Sequence, residues 1–231
     1  MKAVILAGGL GTRLRPVTYE IPKPLIPIRG KTLTEHNMDI LKDAGVDEVY
    51  LAIGYMADKI QKYFGDGKDF GVKINYIIEK DQLGTGGWMN LVPRFKEDFF
   101  VVNGDNLLNL DLKELLKVHK DNKAIVTIAL TKVENVSAYG IARLDADKII
   151  EFMEKPKKED APSQYANSGY YIFSPKAFEY MPRQEKFMLE KDLFPQLAKE
   201  HKLFALKTTC QWFDTGTFEL WERVIKEWKM K

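Results

Sequence analysis

Cysteine and histidine are scarce in this chain, and each scarcity excludes a class of site. Cys210 is the single cysteine among 231 residues, so no intrachain disulfide can form. The three histidines, His36, His119 and His201, lie far apart in sequence, and no Cys/His zinc motif is readable. A site for a hard divalent cation, bound through oxygen ligands, remains open.

The sequence also lacks an excess of one charge and a long apolar run. The 35 basic and 33 acidic residues leave a net charge of +2 and form no basic stripe of the kind that binds a nucleic-acid backbone. No apolar stretch approaches the length of a membrane span, and the run after Met1 is too short for a signal peptide. We therefore expect neither nucleic acid nor membrane as a partner, and a cytoplasmic protein.

Glycine is concentrated at one place, directly after the first predicted strand. The stretch of residues 6–23 reads LAGGLGTRLRPVTYEIPK. Because Gly8, Gly9 and Gly11 lack Cβ atoms, the backbone can turn sharply there and another molecule can approach the amides closely. Such amides form a cradle for an anion.

Two positive side chains accompany this turn. Arg13 and Lys23 supply the charge expected where a triphosphate is bound. The P-loop motif fits poorly, because no lysine follows Gly11 at the required spacing. The Rossmann fingerprint also fits poorly, because Leu14 stands where its third glycine is needed, which argues against a nicotinamide oxidoreductase.

Strands and helices alternate over the first half of the chain, which is typical of an α/β fold with a mostly parallel sheet. Predicted strands cover residues 2–5, 48–53, 72–78, 99–102 and 124–131, and predicted helices cover residues 33–44, 57–64 and 112–120. Short strands at 139–144, 148–153 and 168–173 then predict a small mixed or antiparallel section. We expect one domain over residues 1–231, a Rossmann-like three-layer αβα sandwich that ends in a helix over 217–231.

The stretch from Leu6 to Pro24 resembles the signature of the sugar-1-phosphate nucleotidyltransferases, and weaker likenesses extend over nearly the whole chain. The closest resemblance is to mannose- and heptose-1-phosphate guanylyltransferases without a β-helix domain, since no hexapeptide repeat occurs. It implies a nucleotide-binding region over about 1–132 and a sugar-phosphate-binding region over about 133–216. In the first loop it implies nucleotide contacts by Leu6, Ala7, Gly8, Gly9, Gly11, Thr12 and Arg13.

The resemblance extends to a second loop, Gly84–Gly87, which follows a predicted strand. There the nucleotide would contact Gly84 and Thr85, and the base would be read by the side chain five residues earlier, Glu79. A carboxylate can accept both adjacent donors of guanine, whereas uracil and thymine match an amide better. GTP is therefore favoured, and UTP or dTTP is the alternative. At the ends of parallel strands, the two loops should face one crevice.

Two carboxylates match the metal ligands of the family. Asp105 follows the buried run 99–102, and Asp214 lies in Trp-x-Asp-x-Gly-Thr near the end of the sequence. The resemblance implies Mg²⁺ between them. For the sugar phosphate it implies contacts by Asn103, Gly140, Glu154, Lys155, Asn167 and Gly169. Glu190-Lys191-Asp192 is similar to a segment of the guanylyltransferases and reads as a helix.

The implied reaction transfers a nucleotidyl group from a nucleoside triphosphate to a sugar 1-phosphate, with Arg13, Lys23 and Lys155 as its catalytic cations. A cytidylyltransferase is disfavoured by the Gly84–Gly87 loop. A regulatory subunit of the same fold without activity remains an alternative, and a homo-oligomer is left open.

Overall fold

The computed structural model describes residues 1–229 and divides them into two compact units. The first unit contains Met1–Gln82, Val101–Leu112 and the described residues from Gln211 onward, and the second contains Leu83–Phe100 and Lys113–Cys210. The two functional regions predicted from the sequence, with boundaries near residues 132 and 216, describe which ligand each region binds and stay a prediction. The last helix and the strand before it belong to the first compact unit, although they lie at the other end of the sequence.

The elements alternate as the sequence predicts. The helices are α1 Leu33–Asp43, α2 Ala57–Phe64, α3 Leu112–Asp121, α4 Phe194–Lys199 and α5 Phe218–Glu227. The strands are β1 Lys2–Leu6, β2 Pro27–Ile28, β3 Lys31–Thr32, β4 Glu48–Ile53, β5 Lys73–Ile78, β6 Phe99–Asn103, β7 Asn106–Leu108, β8 Val126–Lys132, β9 Gly140–Asp145, β10 Lys148–Glu154, β11 Tyr165–Phe173, β12 Leu203–Thr208 and β13 Trp212–Asp214. Among residues 1–229, no helix combines the length and apolarity that a membrane span requires.

A parallel sheet forms the centre of the first unit. Strands β5, β4 and β1 are neighbours in that order, with parallel pairing throughout, and β1 is followed by the end of β6. Helix α1 starts in a capping box: the Thr32 hydroxyl accepts a hydrogen bond from the Glu35 amide at 3.2 Å, and the Glu35 carboxylate accepts one from the Thr32 amide at 2.7 Å. This α/β architecture confirms the predicted fold class.

The end of the chain packs into the first unit. Strand β13 pairs with β7 in antiparallel orientation, and Phe213, Val224 and Trp228 join Leu14 in one core cluster. A threonine directly before an apolar helical pattern predicts a cap, and the Thr217 side chain indeed caps α5 by accepting a hydrogen bond from the Leu220 amide. The predicted helix over 217–231 is longer than the observed one, and residues 230 and 231 lie outside the described residues. The helical spacing of Leu220, Trp221, Val224, Ile225 and Trp228 predicts one apolar stripe on this helix. Val224 is buried in the core, but Ile225, the next residue along the helix, is 40% exposed.

The second unit contains the mixed section. Its strands follow the order β11, β8, β12, β10, β9, in which β8 and β12 are parallel and the other neighbours antiparallel. The predicted helix at Glu190 begins as a π-helical turn over Leu189–Leu193 and continues as α4. The helical spacing of Leu193, Leu197 and Ala198 predicts a buried stripe, and all three residues are buried.

Candidate active site

The glycine turn is held in place by the residues that follow it. Gly11 adopts a left-handed conformation with φ 61°, and its carbonyl accepts hydrogen bonds from the Leu14 amide at 2.9 Å and the Thr18 hydroxyl at 2.8 Å. A Cβ atom at Gly11 would lie 2.8 Å from the Thr18 Cγ2. Because Leu14 is fully buried in the core, the turn between them is anchored, while Thr12 and Arg13 stay exposed.

Glu79 lies beside this turn. Its backbone amide donates to the Ile53 carbonyl at 2.8 Å, which continues the pairing of β5 with β4. A Cβ atom at Gly8 would lie 3.3 Å from the Glu79 Oε2. The structure therefore brings the predicted base-reading carboxylate next to the predicted nucleotide loop.

Asp105 and Asp214 meet although they are 109 positions apart in sequence. The Gly104 amide donates to the Leu6 carbonyl at 2.9 Å, an approach so close that a Cβ atom there would lie 2.7 Å from the same oxygen. The Thr215 hydroxyl and amide both donate to the Asp105 carbonyl, at 2.8 Å and 3.0 Å. These bonds fix the backbone of one aspartate against the residue that follows the other.

The charges of the two predicted cations act on both aspartates. Lys23 Nζ lies 3.0 Å from Asp105 Oδ2; the lysine side chain is 11% exposed and the aspartate side chain 43%. Gly216 makes room for Arg13, because a Cβ atom there would lie 2.5 Å from Arg13 Nη2 and 2.8 Å from Asp214 Oδ1. The Gly216 amide also donates to Asp214 Oδ1 at 2.7 Å.

The pKa values of the two aspartates in this cluster are shifted in opposite directions. Burial opposes ionisation of Asp105, but the charge and hydrogen bond of Lys23, helped by Arg13, hold its pKa below the usual range. Burial and the negative charge of Asp105 raise the pKa of Asp214, against the opposing effect of Lys23 and Arg13. Two adjacent carboxylates that repel each other are a suitable donor set for Mg²⁺.

An ion at this position would need further oxygen ligands. Within residues 1–229, no group of three or more His, Cys, Asp or Glu side chains is arranged to hold a metal ion. Mg²⁺ commonly binds through one or two carboxylates and takes its other ligands from water and substrate phosphates. The two aspartates fit that pattern, and the metal itself stays a prediction.

A second group of predicted residues lies in the second unit. Lys155 adopts a left-handed backbone conformation with φ 49°, and its amide donates to the Tyr139 carbonyl at 3.1 Å. Its Nζ lies 3.7 Å from Glu154 Oε1 and the side chain is 63% exposed. Gly140 pairs with Glu154 across β9 and β10, and a Cβ atom on it would lie 2.9 Å from Glu154 Oε2. Burial raises the pKa of Glu154, although Lys155 and Lys191 oppose this.

The remaining predicted sugar residues have internal partners. The buried Asn167 donates from Nδ2 to the Tyr171 hydroxyl at 2.8 Å and accepts the Gly169 amide at 2.9 Å through Oδ1. Gly169, with φ 83°, lies where the pairing of β11 with β8 shifts register. Asn103 ends β6 in the first unit and is partly buried. Sugar contact by these residues stays a prediction.

The Gly84–Gly87 loop packs against residues 185–190 of the same unit. The Thr85 hydroxyl donates to the Glu190 carboxylate and accepts from the Leu189 amide at 3.0 Å. The Gly86 amide donates to the Phe187 carbonyl at 3.0 Å. Sequence reasoning does not assign Glu190 to the site and misses the supporting roles of Thr18, Gly104, Thr215 and Gly216. The two glycines lie within motifs, which is the one signal that could have identified them.

Known proteins are similar to this chain over nearly all of its residues. A family model for nucleotidyl transferases matches residues 2–228. The chain is 38% identical over 242 residues to a UTP–glucose-1-phosphate uridylyltransferase from Synechocystis sp., which covers 97% of this chain and 62% of that protein. It is 39% identical over 223 residues to mannose-1-phosphate guanyltransferase beta-B from Xenopus laevis, with coverage of 94% and 61%. The chain thus spans about three fifths of the length of these curated relatives.

Solved structures are similar over nearly their full length. A putative glucose-1-phosphate thymidylyltransferase from Bacillus anthracis, solved with sucrose, superposes with a TM-score of 0.87 at 26% identity, covering 100% of this chain and 97% of that one. HddC from Yersinia pseudotuberculosis, solved with GMP-PN, gives a TM-score of 0.79 at 32% identity, covering 99% of each chain. With the family model matching almost every residue, this chain belongs to the nucleotidyl transferase family.

Proposed function

We propose that the chain transfers a nucleotidyl group from a nucleoside triphosphate to a sugar 1-phosphate and releases pyrophosphate. A phosphate oxygen of the sugar forms a bond to the α-phosphorus as the bond to the leaving pyrophosphate breaks. The observation that carries the proposal is the cluster of Arg13, Lys23, Asp105 and Asp214 around the glycine turn, where Lys23 and Asp105 lie 3.0 Å apart.

Each residue has a role that its charge allows. The acceptor phosphate is already ionised at neutral pH, so the reaction needs positioning and charge neutralisation rather than a general base. Arg13 stabilises the departing pyrophosphate, Lys23 the bridging region and Lys155 the attacking phosphate. Asp105 and Asp214 would hold Mg²⁺, which when bound supplies charge that offsets the negative phosphates.

For the base, we propose guanine, and for the acceptor a manno-configured hexose or heptose 1-phosphate. The Glu79 carboxylate beside Gly8 can accept both adjacent guanine donors. Relatives named as mannose-1-phosphate guanylyltransferases, including one from Mycobacterium tuberculosis at 36% identity, support the same assignment. The uridylyltransferase from Synechocystis sp. supports the alternative, a uridylyl or thymidylyl donor with glucose 1-phosphate or another acceptor.

The test is a screen of purified protein for pyrophosphate release with Mg²⁺, GTP, UTP, dTTP, ATP and CTP, each with several sugar 1-phosphates. We expect GTP with mannose 1-phosphate or a heptose 1-phosphate to give the highest kcat/KM. Absence of turnover with every pair, together with tight nucleotide binding, would favour the alternative of a regulatory subunit. Highest activity with UTP or dTTP would contradict the guanine assignment alone.

Glu79→Gln tests how the base is read. An amide offers both a donor and an acceptor, so the kcat/KM of the variant with GTP should fall about tenfold. The ratio of kcat/KM with UTP to kcat/KM with GTP should therefore rise. Glu222→Gln is the matched control, because that carboxylate is exposed and pairs with Lys226. An unchanged ratio of GTP to UTP activity in Glu79→Gln would remove this residue from base recognition.

A further inference from the structure

Glu190 is a buried carboxylate to which the proposed reaction assigns no role. The residue is 6% exposed and lies in the π-helical turn that precedes α4. A buried ionisable side chain is costly unless a partner compensates for its lost hydration. Glu190 accepts a hydrogen bond from the Thr85 hydroxyl, which lies 105 positions earlier in the chain.

The Thr85 hydroxyl is held from both sides. It accepts from the Leu189 amide at 3.0 Å, so its own proton is directed to the Glu190 carboxylate. A hydrogen bond to a carboxylate is stronger than one between neutral groups. The Thr85 carbonyl in turn accepts from Trp88 Nε1 at 3.0 Å. Thr85 therefore connects the buried Glu190 to the whole loop.

The rest of the Gly84–Gly87 loop also packs against residues 185–190. The Phe187 amide donates to the Leu83 carbonyl at 3.1 Å, and the Gly86 amide donates to the Phe187 carbonyl at 3.0 Å. A Cβ atom at Gly84 or Gly86 would overlap Phe187. The glycines let the two segments touch, but they fix no side chain. The Thr85–Glu190 bond adds a contact between two side chains to these backbone hydrogen bonds.

The position of Glu190 also joins the loop to the charged group of the second unit. Burial raises the pKa of Glu190, and the negative charge of Glu154 adds to this, while the Thr85 hydrogen bond and Lys155 oppose it. Lys191, the next residue, acts on Glu154. The carboxylate that orients Thr85 is thus electrostatically coupled to the residues proposed to bind the sugar phosphate.

We propose that Glu190 is a positioning residue: by accepting the Thr85 hydroxyl it holds the Gly84–Gly87 loop in the conformation that binds the nucleotide. The functional half of this inference rests on the proposed function, because it takes the loop as a nucleotide contact. The structural half, that Glu190 orders the loop through Thr85, stands on the contacts alone.

The variants Glu190→Ala, Glu190→Gln, Thr85→Val and Thr85→Ser test both halves. Loss of a hydrogen bond to a charged group predicts a rise of about tenfold in the nucleotide KM for Glu190→Ala and for Thr85→Val, with kcat changed less than about threefold. Because Glu190→Ala and Thr85→Val remove the same contact, the nucleotide KM of the double variant should be at most about twice that of either single variant. Glu190→Gln and Thr85→Ser, which keep an acceptor and a hydroxyl, should show smaller rises.

Hydrogen–deuterium exchange gives a readout that needs no activity. Glu190→Ala and Thr85→Val should raise exchange at about residues 83–91 and leave β4 unchanged. Glu200→Ala, an exposed glutamate at the end of α4 that pairs with Lys202, is the matched control and should leave exchange and KM as in the native protein. If the variants show raised exchange in the loop but the native protein has no turnover, the proposed function is rejected and the ordering role of Glu190 is kept. Unchanged loop exchange, or fully additive KM effects, would overturn the inference.

Discussion

The two units hold their lysine–carboxylate pairs in contrasting ways. In the first unit, Lys23 is largely buried and lies 3.0 Å from Asp105, whose pKa it helps to lower. In the second, Lys155 is 63% exposed and lies 3.7 Å from Glu154, whose pKa is raised by burial. The first pair has a fixed geometry before any ligand binds. The second is loosely paired, so its cation can turn to an arriving anion at small cost.

This contrast teaches which charges are preorganised. A preorganised charge stabilises a transition state without reorganisation, whereas an exposed and mobile one contributes mainly to binding. In the proposed reaction, we therefore expect the Lys23 cluster to control kcat and the Lys155 pair to control the KM of the acceptor.

The largest effect is expected from Lys23→Ala. Loss of a preorganised positive charge at the reacting phosphates should lower kcat by about 10²- to 10³-fold. Pyrophosphate release at saturating substrates measures it, and Lys68→Ala, which removes an exposed lysine paired with Asp66, is the control. Near-native turnover in Lys23→Ala would refute the assigned role of this cluster.

A smaller effect is expected from Lys155→Ala. An exposed cation that meets a phosphate contributes binding energy, so the KM for the sugar 1-phosphate should rise about tenfold while kcat falls less. Initial rates over a range of acceptor concentrations measure both constants, with the exposed Lys157→Ala as the control. If kcat in Lys155→Ala falls as far as in Lys23→Ala, the contrast between the two pairs is wrong.

The smallest effect is one of stability. Because the pKa of Asp214 is raised in the folded protein, its ionised form is disfavoured there, and stability is gained as pH falls through that pKa. Asp214→Asn keeps an acceptor for the Gly216 amide and removes the repulsion from Asp105. It should raise the free energy of unfolding at pH 8 without divalent cations by roughly 0.5–2 kcal/mol while activity is lost.

Urea unfolding at pH 8 and at pH 4 measures this gain. The difference between Asp214→Asn and the native protein should shrink at the lower pH, where the native carboxyl is increasingly protonated. Asp66→Asn is the control, because Lys68 lowers the pKa of Asp66 and its removal should not stabilise the fold. A destabilised Asp214→Asn at pH 8 would mean that the carboxylate is compensated in the folded state.

Most of the fold could be predicted from the sequence, because its elements follow local patterns. Strand β4 and helix α2 have the predicted bounds, and the other predicted strands and helices differ by a few residues. No strand was predicted at the positions of β2, β3, β7, β12 and β13. The predictions failed where tertiary packing decides. Ile225 has the spacing of the buried stripe but lies exposed.

The candidate site was predictable to the extent that its residues lie in contiguous motifs. The glycine turn, Arg13 and Lys23 all lie within residues 6–23. Because this stretch is short, the sequence by itself indicates that they lie near one another. Glu190 could not be assigned in the same way. Its partner Thr85 is 105 positions away, and nothing near Glu190 in the sequence shows that it is buried.

By itself, the sequence determined the alternation of strands and helices, the glycine turn and the types of charge available to the site. Periodicity and backbone freedom act over a few residues, so they can be read locally. No local pattern places Asp105 beside Asp214, which only the family resemblance implied, or Thr85 beside Glu190; tertiary structure decided both contacts. Those contacts depend on the pairing of β7 with β13 and on the packing of a loop against a distant turn, which bring together groups that are far apart in the sequence.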